Sequence, residues 1–211
     1  MVSGNLQRSQ FGFHTSEKFR VNALLGDEDE DILSIPSPFQ LEPGRWKVIT
    51  KVHEMIAKEW VNGGCRASFY RYDGNNLPND LKIQAGHLIG ALERIGDNRG
   101  FPSEISGCSI DYLRNGKIWI ESLQTFGNAI YCALSQGGAY SKKRLAEDEA
   151  ERISTDYLVA MFGDSNESSL YFFGLDIGFS CWFRGVCWDL AYAIVNTDER
   201  WIALIVATDT D

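Results

Sequence analysis

The run Val186-Cys-Trp-Asp-Leu-Ala-Tyr-Ala-Ile-Val195, followed by Asn196-Thr-Asp-Glu-Arg200 and Trp201-Ile-Ala-Leu-Ile-Val-Ala-Thr208, decides the fold. Cys187, Asp189, Ala191, Ala193 and Val195 alternate with Trp188, Leu190, Tyr192 and Ile194. Both sets are largely apolar, the pattern of a central strand covered on its two faces. The polar turn Asn196–Arg200 joins Val186–Val195 to Arg200–Thr208, so the two runs read as an antiparallel hairpin. Upstream, Ser169–Asp176 reads as a strand and Phe179–Phe183 as another, which extends the hairpin into a C-terminal β-meander.

Working outward, helical spacing takes over from alternation. Trp46, Ile49, Val52, Ile56 and Trp60 recur on one face of Arg45–Val61, with Lys47, Lys51, Glu54 and Lys58 on the other. Leu81, Ala85, Leu88, Leu92 and Ile95 place a second helix over Asn79–Ile95. Ser141–Phe162 reads as the longest helix, opened by Ser141 and ended by Gly163. Cys65–Tyr72 alternates as a strand. Cys108–Leu113 and Lys117–Leu123 flank Asn115-Gly116, whose tolerance of positive φ signals a hairpin. Phe126–Leu134 fits strand and helix equally. Residues 1–44 read as an irregular acidic segment. It holds a short strand near Phe19–Leu25 and a solvated run at Asp27–Asp31, because five adjacent like charges repel. Residues 45–211 then form a single α+β domain: a mainly antiparallel sheet with about three packed helices.

Composition supports this class. The chain has 211 residues, 44% hydrophobic and 12% aromatic, enough for one core without a disulfide or metal staple. Net charge is −9, and from Leu145 onward 13 acidic residues face 3 basic ones. Such a surface repels a phosphate backbone, which argues against direct nucleic-acid binding, and attracts a basic protein partner. No long apolar run predicts a membrane span. The first residues lack the apolar core of a signal peptide, and Cys65, Cys108, Cys132, Cys181 and Cys187 show no C-x-x-C spacing. Together these features predict a cytoplasmic protein with free thiols.

The sequence carries no phosphate-binding glycine loop, nucleophile elbow, HExxH or EF-hand pattern, so no metal or cofactor is expected. Cys65 and His87, with Asp111 to orient them, make a conceivable nucleophile–base pair. Asp111, Glu121, Asp176 and Asp189 sit on predicted strands, where neighbours can converge as acid–base or metal-binding pairs. Asp189 needs a partner if buried, and Arg184 is the nearest cation in sequence.

The densest feature is aromatic: Tyr171, Phe172, Phe173, Phe179, Trp182, Phe183, Trp188, Tyr192 and Trp201. Core packing accounts for most of it. Trp182, Arg184 and Trp188, however, cluster around one turn, and Trp and Arg are enriched in binding hot spots. With Asp176, Asp198 and Glu199 they form the predicted partner-binding set, an aromatic centre with an acidic rim. In general profile, small, acidic and without a catalytic signature, the chain resembles the immunity proteins that neutralise bacterial toxins. That likeness of type implies an inhibitory binding protein, not an enzyme, that occludes a basic toxin or nuclease. Two alternatives are a small hydrolase using strand carboxylates or a Cys/His pair, and a structural or adaptor component of a larger or viral assembly.

Overall fold

The computed structural model describes residues 37–60, 63–71, 88–93, 105, 109, 112–113, 117–138, 145–183 and 189–209. It shows an α+β fold built on one six-stranded sheet. The strands are β1 (Ser37–Pro38), β2 (Gly64–Arg71), β3 (Ile118–Glu121), β4 (Leu170–Leu175), β5 (Leu190–Asn196) and β6 (Trp201–Thr208). Their order is β1-β2-β6-β5-β4-β3, and every neighbouring pair is antiparallel. The sheet thus takes up residues 37–38 of the segment read as irregular.

The C-terminal hairpin lies at the centre of the sheet. Asn196 pairs with Trp201 and Leu190 with Ala207. Every residue of β6 is buried. Ala191, Ala193, Val195, Ile202, Leu204 and Val206 face one core, while Ile194, Trp201, Ala203, Ile205 and Ala207 face the other. Two-sided apolar alternation therefore specified two-sided burial, as a central strand requires.

Three helices pack on the second of these faces: α1 (Pro43–Glu59), α2 (Leu123–Ser135) and α3 (Glu147–Phe162), with α3 in contact with both others. Each start has a local cause. Glu42 accepts the Arg45 N–H at 3.1 Å and Pro43 opens α1, where a missing N–H costs nothing. Ser122 accepts the Thr125 N–H at 3.0 Å. Glu147, Asp148 and Glu149 offset the positive end of the α3 dipole, and Gly163 (φ 56°) ends that helix in a conformation glycine adopts readily. Beneath the helices, Phe126 meets Phe162, Phe172 and Tyr192 at centroid distances of 6.2, 5.7 and 5.2 Å, and Phe69 meets Trp201 at 5.4 Å. Such pairs add roughly 0.5–1.5 kcal/mol each beyond area burial.

Several sequence expectations change. Phe126–Leu134 is helical, in α2. Helix α3 begins at Glu147, so α1, with 17 residues, is longer than α3, with 16. Of the helix expected over Asn79–Ile95, the described residues 88–93 are helical. The expected strand at Phe179–Phe183 is absent. The Asp176 side chain captures the Gly178 N–H at 2.9 Å and turns Ile177–Phe179 into a 3-10 turn instead of a ladder. The hairpin read around Asn115-Gly116 is not the pairing adopted. Residues 112–113 are helical, Lys117 N–H donates to Leu113 O at 3.2 Å, and β3 pairs with β4. Phe19–Leu25, Asp27–Asp31 and Asn115-Gly116 themselves lie outside the described residues.

Candidate functional site

The predicted partner-binding residues fall at two ends of the sheet. Leu170, at the start of β4, pairs with Asn196 beside the hairpin turn, whereas Asp176 follows the far end of that strand. Six strand steps separate the ends by about 20 Å. Asp198 and Glu199 therefore do not share a surface with Asp176 and Trp182. Arg184 and Trp188 lie outside the described residues.

At the far end, Asp176 is occupied. It accepts from Tyr112 Oη at 3.0 Å and from Gly178 N, and it lies 3.7 Å from Lys117 Nζ. Trp182 is half-buried and packs on the core beside Phe183, with ring centroids 5.3 Å apart. Asp189 accepts a hydrogen bond from the Thr208 hydroxyl.

At the near end a compact acidic rim is assembled. The α3 end and the segment 163–169 abut the β5–β6 turn, and the two are laced together. Asp198 accepts the Asn166 N–H at 3.0 Å and the Ser169 hydroxyl at 2.8 Å. These donors hold its carboxyl below the usual range, the Asn166 N–H contributing most. Thr197 N–H donates to Ser169 O at 2.9 Å, and buried Asn196 donates from Nδ2 to Ser165 Oγ at 2.9 Å. Arg200 adopts φ 56°, an unusual conformation for a non-glycine residue that the surrounding bonds must hold. Asp164, Glu167, Asp198 and Arg200 are exposed on this rim. Glu199 points inward, ion-paired with Arg45 at 2.8 Å.

A concavity opens between α1 and α3. This groove of about 660 Å³ is lined by Val48, Val52, Met55, Ile153, Val159 and Ala160, with charged residues on both walls. Neither Asp164 and Glu167 nor the groove was singled out from the sequence. Which helix adjoins α3 is a tertiary fact.

Cys65 is buried, and burial pushes its thiol up to about 12, so it is no thiolate at neutral pH. His87 and Asp111 lie outside the described residues. Among the described residues His53 enters the core, and its Nε2 lies 2.8 Å from Tyr157 Oη. Glu121 is half-buried, and burial raises its pKa while hydrogen bonds from the Trp119 and Thr125 side chains lower it. It pairs across from Phe172, roughly 13 Å along β4 from Asp176, so the two do not converge. Among the described residues no group of three His, Cys, Asp or Glu side chains is placed to hold a metal. No described helix is long and apolar enough to cross a membrane.

No protein-family model matches this chain, and comparison with curated proteins found no significant sequence match.

Proposed function

We propose that the chain is an inhibitory binding protein whose acidic rim meets a basic protein partner, in the manner of an immunity protein occluding a toxin or nuclease. The observation that carries this reading is the pre-ordered rim. Asp164, Glu167 and Asp198 face solvent from two turns laced to one another. A surface ordered before encounter avoids the entropic cost of being ordered on binding, and a charge cluster of one sign steers an oppositely charged partner. The excess of acidic residues after Leu145 supports the same partner chemistry. Cys65, Cys132 and Cys181 are free thiols, which supports a reducing compartment such as the cytoplasm as the setting; a bacterial cell is part of the proposal. Trp182 recedes from this reading, because it packs at the opposite end of the sheet.

The test is affinity capture from native cytosol with quantitative mass spectrometry, using the wild type and Asp164→Lys/Glu167→Lys. Both substituted side chains are exposed, so the fold should survive, and circular dichroism checks it. A basic protein recovered in stoichiometric amount with the wild type and lost with the variant supports the proposal. Equal recovery of the same proteins by both, or no basic protein with either, overturns it.

A further inference from the structure

We propose that the groove between α1 and α3 is a self-complementary interface that receives the same two helices of a second copy of this chain. The two helices run antiparallel. Arg45, near the α1 start, donates to Ala160 O and Met161 O near the α3 end, and His53 meets Tyr157 midway. These contacts set the levels: Lys51, Glu54 and Lys58 on α1 lie level with Asp156, Arg152 and Glu149 on α3.

All six of those side chains are exposed. Along α1 the signs run plus, minus, plus; along α3, at the same levels, they run minus, plus, minus. A two-fold axis along the groove lays α1 of one copy over α3 of the other and preserves every level. Lys51, Glu54 and Lys58 of each copy then meet Asp156, Arg152 and Glu149 of the other. Among the described residues Lys51, Glu54, Lys58 and Glu149 make no ion pair within the chain. Arg152 and Asp156 share only an exposed i,i+4 contact of 3.2 Å, which is worth little.

The centre of the face is apolar. Val159 is 63% exposed, and Val48, Met55 and Ile153 are half-buried beside it. The axis brings Val48 and Met55 of each copy against Val159 and Ile153 of the other, where water is excluded and the flanking charges fix the register. A ligand of one sign fits poorly, since an anionic one is repelled by the α3 carboxylates and a cationic one by the α1 lysines. A second copy presents both signs at matching heights. This inference is independent of the acidic rim, which lies at the end of the sheet.

Sedimentation velocity on the full-length chain over a concentration series tests it, at roughly 0.05 and 0.5 M salt, between which the Debye length shortens about threefold. A reversible dimer that weakens in high salt is expected. Lys51→Glu and Asp156→Lys each should raise its Kd by about tenfold or more, because each substitution acts twice in a two-fold interface. The double variant, which restores opposite signs, should return to within a few-fold of the wild-type Kd, while Asp164→Lys/Glu167→Lys leaves it unchanged. Thermal melts confirm that each variant is folded. A monomer at every concentration, a dimer indifferent to the single reversals, or a double variant no tighter than the singles overturns the proposal.

Discussion

Arg45 grips Glu199 from 154 positions away in sequence, donating from Nη1 to Oε1 at 2.8 Å and to Oε2 at 3.0 Å. The same guanidinium donates from Nε to Ala160 O at 2.8 Å and from Nη2 to Met161 O at 2.7 Å, carbonyls in the last turn of α3 that lack helical partners. Glu199 in turn accepts from Trp201 Nε1 at 2.9 Å. One side chain thus fastens the start of α1, the end of α3 and the central hairpin. Arg45→Ala should destabilise the protein by about 3 kcal/mol, because it leaves a half-buried carboxylate and two carbonyls without their donor. Arg45→Lys should recover less than half of that, since an ammonium cannot span the same four acceptors. Urea titration checks both, and an alanine variant as stable as the wild type would show the network to be ornamental.

Acid should loosen the contact between α1 and α3 through His53. Burial lowers its pKa from 6.5 to about 4, with the nearby Arg66 charge adding to the effect. Between those values the unfolded chain holds a proton that the folded protein excludes. The stabilising effect is therefore complete above pH 6.5 and is lost as the pH falls to about 4. A shift of this size corresponds to about 3 kcal/mol at most. Carboxylates titrate in the lower part of this window too, so the informative quantity is the difference between the wild type and His53→Gln. Denaturant unfolding from pH 7 to 4 should show a shallower loss in the variant. Parallel curves would mean that the ring is solvated and titrates normally.

Strands β4, β5 and β6 were legible because their alternation had a single physical outcome, burial on two faces, and α1 because its apolar stripe was flanked by lysines, although the helix begins at Pro43 and not at Arg45. Phe126–Leu134 was not, since a short apolar run satisfies either period until Ser122 caps it. The Asn115-Gly116 hairpin and the Phe179–Phe183 strand failed for a related reason. Ser109 and Asp176 side chains take up the Tyr112 and Gly178 N–H groups, and local side-chain bonds of this kind displace a ladder. The turn that carries Asp198 was legible, and the residue is exposed there. Glu199, its neighbour, faces inward to Arg45, a partner that only the tertiary fold supplies. The grouping of Asp198 with Trp182 failed because proximity in sequence across β4 and β5 places residues at opposite ends of a sheet.

A final prediction concerns the edge strand β3, where Trp119 pairs across from Gly174 and spreads its indole over the bare backbone. A Cβ at Gly174 would lie 2.1 Å from Trp119 Nε1 and 2.3 Å from Cε2. Neither distance is tolerable, so Gly174→Ala must expel the ring. The expelled side chain also gives up its hydrogen bond to the half-buried Glu121, whose carboxyl then loses a donor that lowers its pKa. Overpacking of this kind costs about 1–3 kcal/mol, which for a chain of this size lowers Tm by roughly 2–4 °C per kcal/mol. Trp119→Ala is destabilising in its own right, because it strips cover from β4 and from Glu121. In the double variant the added methyl finds the space the indole vacated, and the cost of Gly174→Ala should nearly vanish. A double-mutant cycle should therefore report a coupling of about 1–2 kcal/mol. Additive losses would show that the indole does not rest on Gly174, and that β3 is held by its backbone ladder alone.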